Sequence, residues 1–311
     1  MSWVWTTGFR GPAAPPRTFE PSNPRTLYDP PVPWIARSIV VALLAYAMLV
    51  ALMWLVQERF IFYPQTGRDI VATPAARGVP YEDVVLRTSD GKQLNAWWIP
   101  ADKPRGAVLL FHGNAGNISH RIEYALMFRR LGYSTLLVDY RGYGRSTGTP
   151  TEAGTYIDAD TAWRWLTTTR GVPERDIVLF GESLGGGVAS WLAARHPVRA
   201  LVLASTFTSA VDLGAELYSF LPVRLVSRVR YETLRRLHDV RAPVLVIHSP
   251  DDDVIPFRHG RRLFDAALEP KAMLQIAGGH NDGFVFRREE WVATLAAFLE
   301  NSESTGVRRK Q

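Results

Sequence analysis

Gly181-Glu182-Ser183-Leu184-Gly185 directly follows an apolar run, residues 177–180, and opens a stretch with Val188, Trp191 and Leu192 on one helical face. A serine between small residues at such a strand-to-helix turn projects its hydroxyl above a sheet, where it can act as a nucleophile. A glycine-rich turn with an ordinary N-cap serine gives the same letters, so the rest of the chain has to decide. Two polar clusters each follow another apolar run. Ser249-Pro250-Asp251-Asp252-Asp253 comes after residues 244–248, and Ala277-Gly278-Gly279-His280-Asn281-Asp282 after residues 273–276. Of the seven histidines, His280 alone follows the last strand candidate in a glycine turn able to reach Ser183. The order serine, aspartate, histidine is the one expected when the nucleophile sits on such a turn, although three adjacent aspartates leave the acid open. His112-Gly113-Asn114-Ala115-Gly116-Asn117, after residues 107–111, stands where a loop supplies one backbone donor to an oxyanion. The N–H groups of Asn114 and Leu184 are the two expected donors. The chemistry these residues can do together is acyl transfer: attack by Ser183, proton transfer by His280, and stabilisation of the tetrahedral oxyanion.

Other chemistries fit poorly. The glycines near residue 113 lack the G-K-[ST] ending of a phosphate loop. The aspartate run lacks the spacing, the glycine and the terminal glutamate of a calcium-binding hand. With no cysteine in the chain there is no thiolate nucleophile, disulfide or cysteine metal site. The formal charge of +6 comes from scattered arginines without a nucleic-acid motif, so nucleic acid is not an expected partner. Acyl transfer to water by these groups calls for no metal or organic cofactor.

The elements that position these residues can be read outward from them. Strand candidates cover residues 83–87, 94–99, 107–111, 134–139, 177–180, 200–204, 244–248 and 273–276. From the third onward most are nearly all apolar, as strands buried on both faces of a parallel sheet are. Between them, Ala159, Ala162, Trp163 and Leu166 recur at helical spacing, and nearly so do Val292, Leu295, Ala296 and Leu299. Gly132 and Pro197 sit where helices stop. The βαβα succession predicts a mostly parallel eight-stranded sheet flanked by helices, with its site at the carboxyl ends of the strands. Residues 206–238, which include Phe207, Leu213, Leu217, Tyr218, Phe220 and Leu221, are expected to form a small helical cap whose apolar residues suit an acyl chain.

Ahead of this domain, residues 1–33 are rich in proline and read as an extended, flexible tail. Residues 39–56 then run without a charge, and as a helix they are about 27 Å long, close to a bilayer core. Trp34 and Arg37 before the run, and Trp54, Arg59, Phe60, Phe62 and Tyr63 at its far end, are interfacial anchor types. The expected organisation is a tail over 1–33, a transmembrane anchor over 34–59, a catalytic domain over 60–302 and a flexible end over 303–311. The span lies wholly before the first strand, so it is expected to contribute nothing to the domain's core. Three arginines flank it on each side within about twenty residues, which leaves the positive-inside rule silent. The tail's additional Arg10 favours an extracytoplasmic domain.

The runs HGNAGNISHR, VDYRGYGRSTGTPTEAG, GESLGGGVA, STFTSAVDLGAELYSFLPVRL, APVLVIHSPDDDVIPFRHG and GGHND resemble the single-pass α/β-hydrolases that include α/β-hydrolase domain proteins 13 and 17 and their bacterial relatives. The resemblance covers about residues 57–300, with the motifs in the family's order. It implies an α/β-hydrolase fold and a serine hydrolase acting on carboxylic esters or thioesters, lipid or acylated protein among them. Depalmitoylation is known for some eukaryotic members, and bacterial members often carry a peptidase label. In the family's H-G-x-x-D-x-V-x-P pattern the acid is the fifth residue, which makes Asp252 the third member beside Ser183 and His280. This chain has Ser249 where the family has glycine, and a transmembrane span in place of the cysteine-rich N-terminus of palmitoylated members. A peptidase, or a membrane-tethered binding protein that keeps the fold without the activity, are the alternative expectations.

Overall fold

The strands over 107–111, 134–138, 177–182, 200–204 and 244–248 are mostly apolar because both faces of each are covered. A computed structural model describes residues 32–308, with side chains for residues 34–302, and Gly8 besides. The expected tail and C-terminal end lie largely outside the described residues. Eight strands form one sheet: β1 Glu82–Arg87, β2 Gln93–Ile99, β3 Ala107–Phe111, β4 Ser134–Val138, β5 Ile177–Glu182, β6 Ala200–Ala204, β7 Val244–His248 and β8 Lys271–Gln275. Their order is β1-β2-β4-β3-β5-β6-β7-β8, with β1, β2 and β4 paired antiparallel in succession and the remaining pairs parallel. This is the expected α/β architecture.

Alternation along each strand divides the core in two, since successive side chains point to opposite faces. Leu109, Phe111, Leu179, Val244 and Val246 belong to one apolar cluster, with α3 Glu152–Arg164, α4 Leu184–Ala193 and α8 Arg258–Ala266. Val108, Leu110, Phe180, Leu245 and Ile247 belong to the other, with α2 Ile122–Arg130 and α9 Glu289–Arg308. Helix α9 runs past residue 302, where the domain was expected to end. The segment between β6 and β7 forms a cap of three short helices, α5 Ala210–Leu217, α6 Val223–Val226 and α7 Thr233–Arg236.

Helix α1 spans Val32–Ile61 and is long and apolar enough to cross a membrane. Unlike the core helices it exposes its apolar side chains: Leu43, Leu44 and Met48 are all more than 60% exposed. The chain divides into two compact units, Met1–Met48 and Leu49–Gln311. The second half of α1 therefore belongs to the larger unit. Within that unit Ile61 packs on the core, Phe62 is buried, and the Arg228 N–H donates to Gln57 Oε1 at 2.7 Å. Ile61 and Phe62 fall inside the expected domain of 60–302, and Gln57 lies just beyond the charge-free run of 39–56.

Candidate active site

Ser183 occupies the turn between β5 and α4, with φ 52° and ψ −116°. That conformation is sparsely populated for a residue with a side chain, and its surroundings hold it there. The Ser183 N–H donates to the Ala204 carbonyl (2.9 Å), and the Ser183 carbonyl accepts from the Thr206 hydroxyl (2.6 Å) and the Gly186 N–H (3.0 Å). The flanking glycines are needed for close approach. A Cβ at Gly181 would fall 2.4 Å from the Gly185 carbonyl oxygen, and one at Gly185 would fall 2.1 Å from that of Phe111.

The loops after β7 and β8 bring the other two predicted side chains to the same edge. His280 Nε2 lies 3.0 Å from Ser183 Oγ, and His280 Nδ1 lies 2.9 Å from Asp252 Oδ2. A carboxylate only accepts, so the imidazole proton sits on Nδ1 and the Nε2 lone pair faces the serine hydroxyl. Asp252 is buried, which opposes its ionisation. The nearby His248 ring and the hydrogen bonds from His280 and from the Ile255 N–H outweigh that cost and hold the carboxyl well below the usual range. Its neighbours play other parts: Asp251 is exposed, and Asp253 Oδ1 accepts the backbone N–H of His280 at 2.9 Å.

Of the two expected oxyanion donors, Leu184 follows Ser183 in the chain and Asn114 adjoins a glycine packed against it. Leu184 is the first residue of α4, so its N–H has no carbonyl one turn earlier in the helix. Gly113, next to Asn114, packs so tightly that a Cβ on it would lie 3.4 Å from Ser183 Cβ. The Asn114 side chain is held from outside: Oδ1 accepts from the Tyr63 N–H (3.3 Å) and from the Tyr143 hydroxyl (3.0 Å), whose pKa burial raises. Asp139, at the end of β4, secures the same loop by accepting the Ile118 N–H at 2.9 Å.

Several supporting residues were not singled out from the sequence. His248 donates through Nε2 to the Ile255 carbonyl (2.8 Å) and stands 3.5 Å from Asp252 Oδ2, the oxygen that also faces His280. Its signal lay in the first letter of the H-G-x-x-D pattern. Arg121 grips Glu182 through two bonds of 2.8 and 2.7 Å beside Ser183, a pairing of residues 61 apart that no local pattern reveals. Asn117 offers its amide to the carbonyls of Gly67, Arg68 and Asp69 at 2.7, 3.0 and 2.9 Å, and the Gly116 N–H donates to Thr66. The segment leaving α1 is thereby bonded to the loop that carries Asn114.

The chain's likeness to known proteins agrees with this geometry. Residues 106–225 match the family model described as alpha/beta hydrolase fold. The alpha/beta hydrolase domain-containing protein WAV2 of Arabidopsis thaliana is 33% identical over 276 residues, covering 81% of this chain and 90% of that one. The chain belongs to the α/β-hydrolase family. An uncharacterized protein of Mycobacterium tuberculosis is 42% identical to this α/β-hydrolase over 273 residues, 86% of this chain and 95% of the other. An uncharacterized membrane protein of Saccharomyces cerevisiae is 31% identical over 259 residues, 76% and 87% of the two chains. A solved esterase from Pyrococcus furiosus shares the fold at a TM-score of 0.64 and 20% identity, covering 76% of this chain and 97% of that one.

Proposed function

We propose that this α/β-hydrolase is a membrane-anchored serine hydrolase that cleaves carboxylic ester or thioester bonds through an acyl-enzyme on Ser183. The observation that carries the reading is the unbroken hydrogen-bonded series from Ser183 Oγ through the His280 imidazole to the Asp252 carboxylate, at 3.0 and 2.9 Å. His280 takes the serine proton as Oγ attacks the acyl carbon. Asp252 keeps the imidazole in the correct tautomer and stabilises the imidazolium that forms. The N–H groups of Asn114 and Leu184 hold the oxygen that becomes negative. The imidazolium then protonates the departing alcohol or thiol, and a water activated by the same imidazole releases the acid. No cofactor takes part in these steps.

Anchoring rests on α1, whose apolar residues between 34 and 49 are exposed as lipid-facing residues are. The name of the yeast relative is consistent with it. The extracytoplasmic side suits the hydrolase unit, since the tail carries Arg10 besides the arginines that flank the span.

Ser183→Ala tests the activity. Hydrolysis of p-nitrophenyl butyrate is expected to fall by about a thousandfold or more, as for a triad acting as a unit, with the protein still folded by circular dichroism. Retained hydrolysis overturns the assignment.

A further inference from the structure

Within the unit Leu49–Gln311 lies an apolar cavity of about 270 Å³ that the proposed steps do not use. One wall is the second half of α1, with Met53, Trp54 and Ile61; the other is the cap, with Tyr218, Phe220 and Val226. The wall that α1 supplies continues a helix whose preceding turns are apolar and exposed. Around the cavity the cap exposes further large apolar side chains, Leu217 and Leu225 among them, the latter 87% exposed. A substrate arriving through water gains nothing from such a surface, which carries the signature of a lipid-facing one. The Arg228 guanidinium stacks over the ring of Trp54, a lining residue, at 4.7 Å, a pairing of cation and aromatic of the kind that favours a membrane interface.

Segments adjoining both walls bond to the residues around Ser183. Two residues beyond Ile61, the Tyr63 N–H bonds the Asn114 side chain, and Asn114 adjoins the glycine packed on Ser183. On the cap side Thr206, four residues before Ala210 in the cavity lining, bonds the Ser183 carbonyl. Ser183 itself is only 8% exposed. We infer that this cavity takes the acyl chain of an ester lipid that enters sideways from the leaflet crossed by α1, with the membrane helix forming one wall of the acyl site. The inference rests on the reading of Ser183 as nucleophile and names the substrate of that site. The scissile carbonyl reaches Ser183 while the chain stays among apolar side chains, so it never crosses water.

The full chain, reconstituted in phosphatidylcholine vesicles, is assayed with p-nitrophenyl butyrate and p-nitrophenyl palmitate. Each methylene seated in an apolar cavity is worth up to about fourfold, so kcat/KM favours the palmitate. Gly214 lines the cavity, and a Cβ on it would meet Val223 Cγ1 at 3.2 Å. Gly214→Leu is expected to lower the palmitate-to-butyrate ratio by about tenfold or more, as the loss of two seated methylenes does. An unchanged ratio overturns the acyl site. Palmitate ester carried in the protein's own vesicles is expected to be hydrolysed ahead of the same ester in separate vesicles; equal rates overturn entry from the leaflet. The wild-type chain gives an independent readout through a hexadecyl fluorophosphonate with a diazirine at its chain end. Crosslinks from labelled Ser183 to Met53, Tyr218 or Phe220 support the site, and crosslinks confined to other residues overturn it. Absence of any label on Ser183 overturns the underlying reading of the nucleophile instead.

Discussion

At the scale of single residues, Ser183 is held in a backbone conformation that costs about 1–3 kcal/mol, and its neighbours at Ala204, Thr206 and Gly186 oppose relaxation. The hydroxyl stays in line with the imidazole only while that turn is fixed. The aspartate run distributes its tasks with equal economy. Asp252 faces the imidazole, Asp253 fixes the backbone of the same histidine, and Asp251 faces solvent. Asp252→Asn is therefore expected to lower kcat by roughly 10³ to 10⁴, because an amide can fix the wrong tautomer and cannot stabilise the imidazolium. Asp253→Asn keeps an acceptor for the His280 N–H, and Asp251→Asn touches nothing in the site, so both are expected to lose far less. Steady-state kinetics of the three variants on one ester ranks them, and a ranking led by Asp251 or Asp253 shifts the acid by a residue. The sequence alone left this choice open among three adjacent carboxylates; only the pattern HSPDDDVIP, set against its relatives, narrowed it. The fold resolves it by burying one of the three.

At the scale of elements, the cap is pinned to α8 through His259. Its Nδ1 accepts the Thr208 N–H at 3.2 Å, so the ring proton sits on Nε2, which faces Glu216 Oε2 of α5 at 3.2 Å. Burial lowers the His259 pKa from its ordinary 6.5 and outweighs the attraction of Glu216. The unfolded chain therefore binds more protons than the folded one as pH falls below about 6.5. The contribution of neutral His259 to stability is full above that value and is lost as pH drops from it through the lower folded pKa. Protonation also ends the acceptance from Thr208 and loosens the cap. Denaturant unfolding between pH 5 and 8 is expected to show a falling midpoint on the acid side, and His259→Gln to flatten that fall; an unaltered slope in the variant assigns it to other groups.

The elements also show what the sequence could and could not convey. All eight strands were legible, because apolar runs such as VLLF and LVIH announce strands covered on both faces, and the turns after them display the chemistry. Strand β8 begins at Lys271, two residues before the expected start, since an edge strand is half exposed and admits polar residues. Long-range polar pairings such as Arg121 with Glu182, and Asn117 with the carbonyls of residues 67–69, have no local signal at all.

At the scale of the whole molecule, the proposed anchor and the hydrolase unit share one helix. Without residues 1–48, the remaining stretch of α1, residues 49–61, is about 20 Å long and too short for a bilayer core of about 30 Å. It still carries the stripe that packs under the cap. The shortened chain is expected to leave the membrane under alkaline carbonate extraction while Ser183 still reacts with a fluorophosphonate. A chain beginning at residue 64 loses that stripe and the Tyr63 bond to Asn114, and is expected to melt at least ~4 °C lower. Equal melting temperatures would mean that α1 serves only as an anchor. The central claim, an acyl-enzyme on Ser183, is tested most directly by acid quench and mass spectrometry of the full chain in detergent during turnover of a p-nitrophenyl ester. The account predicts a mass increase equal to the acyl group, mapped to the peptide that contains Ser183 and absent from Ser183→Ala. Turnover with Ser183 unmodified, or an adduct mapped to another residue, would contradict it.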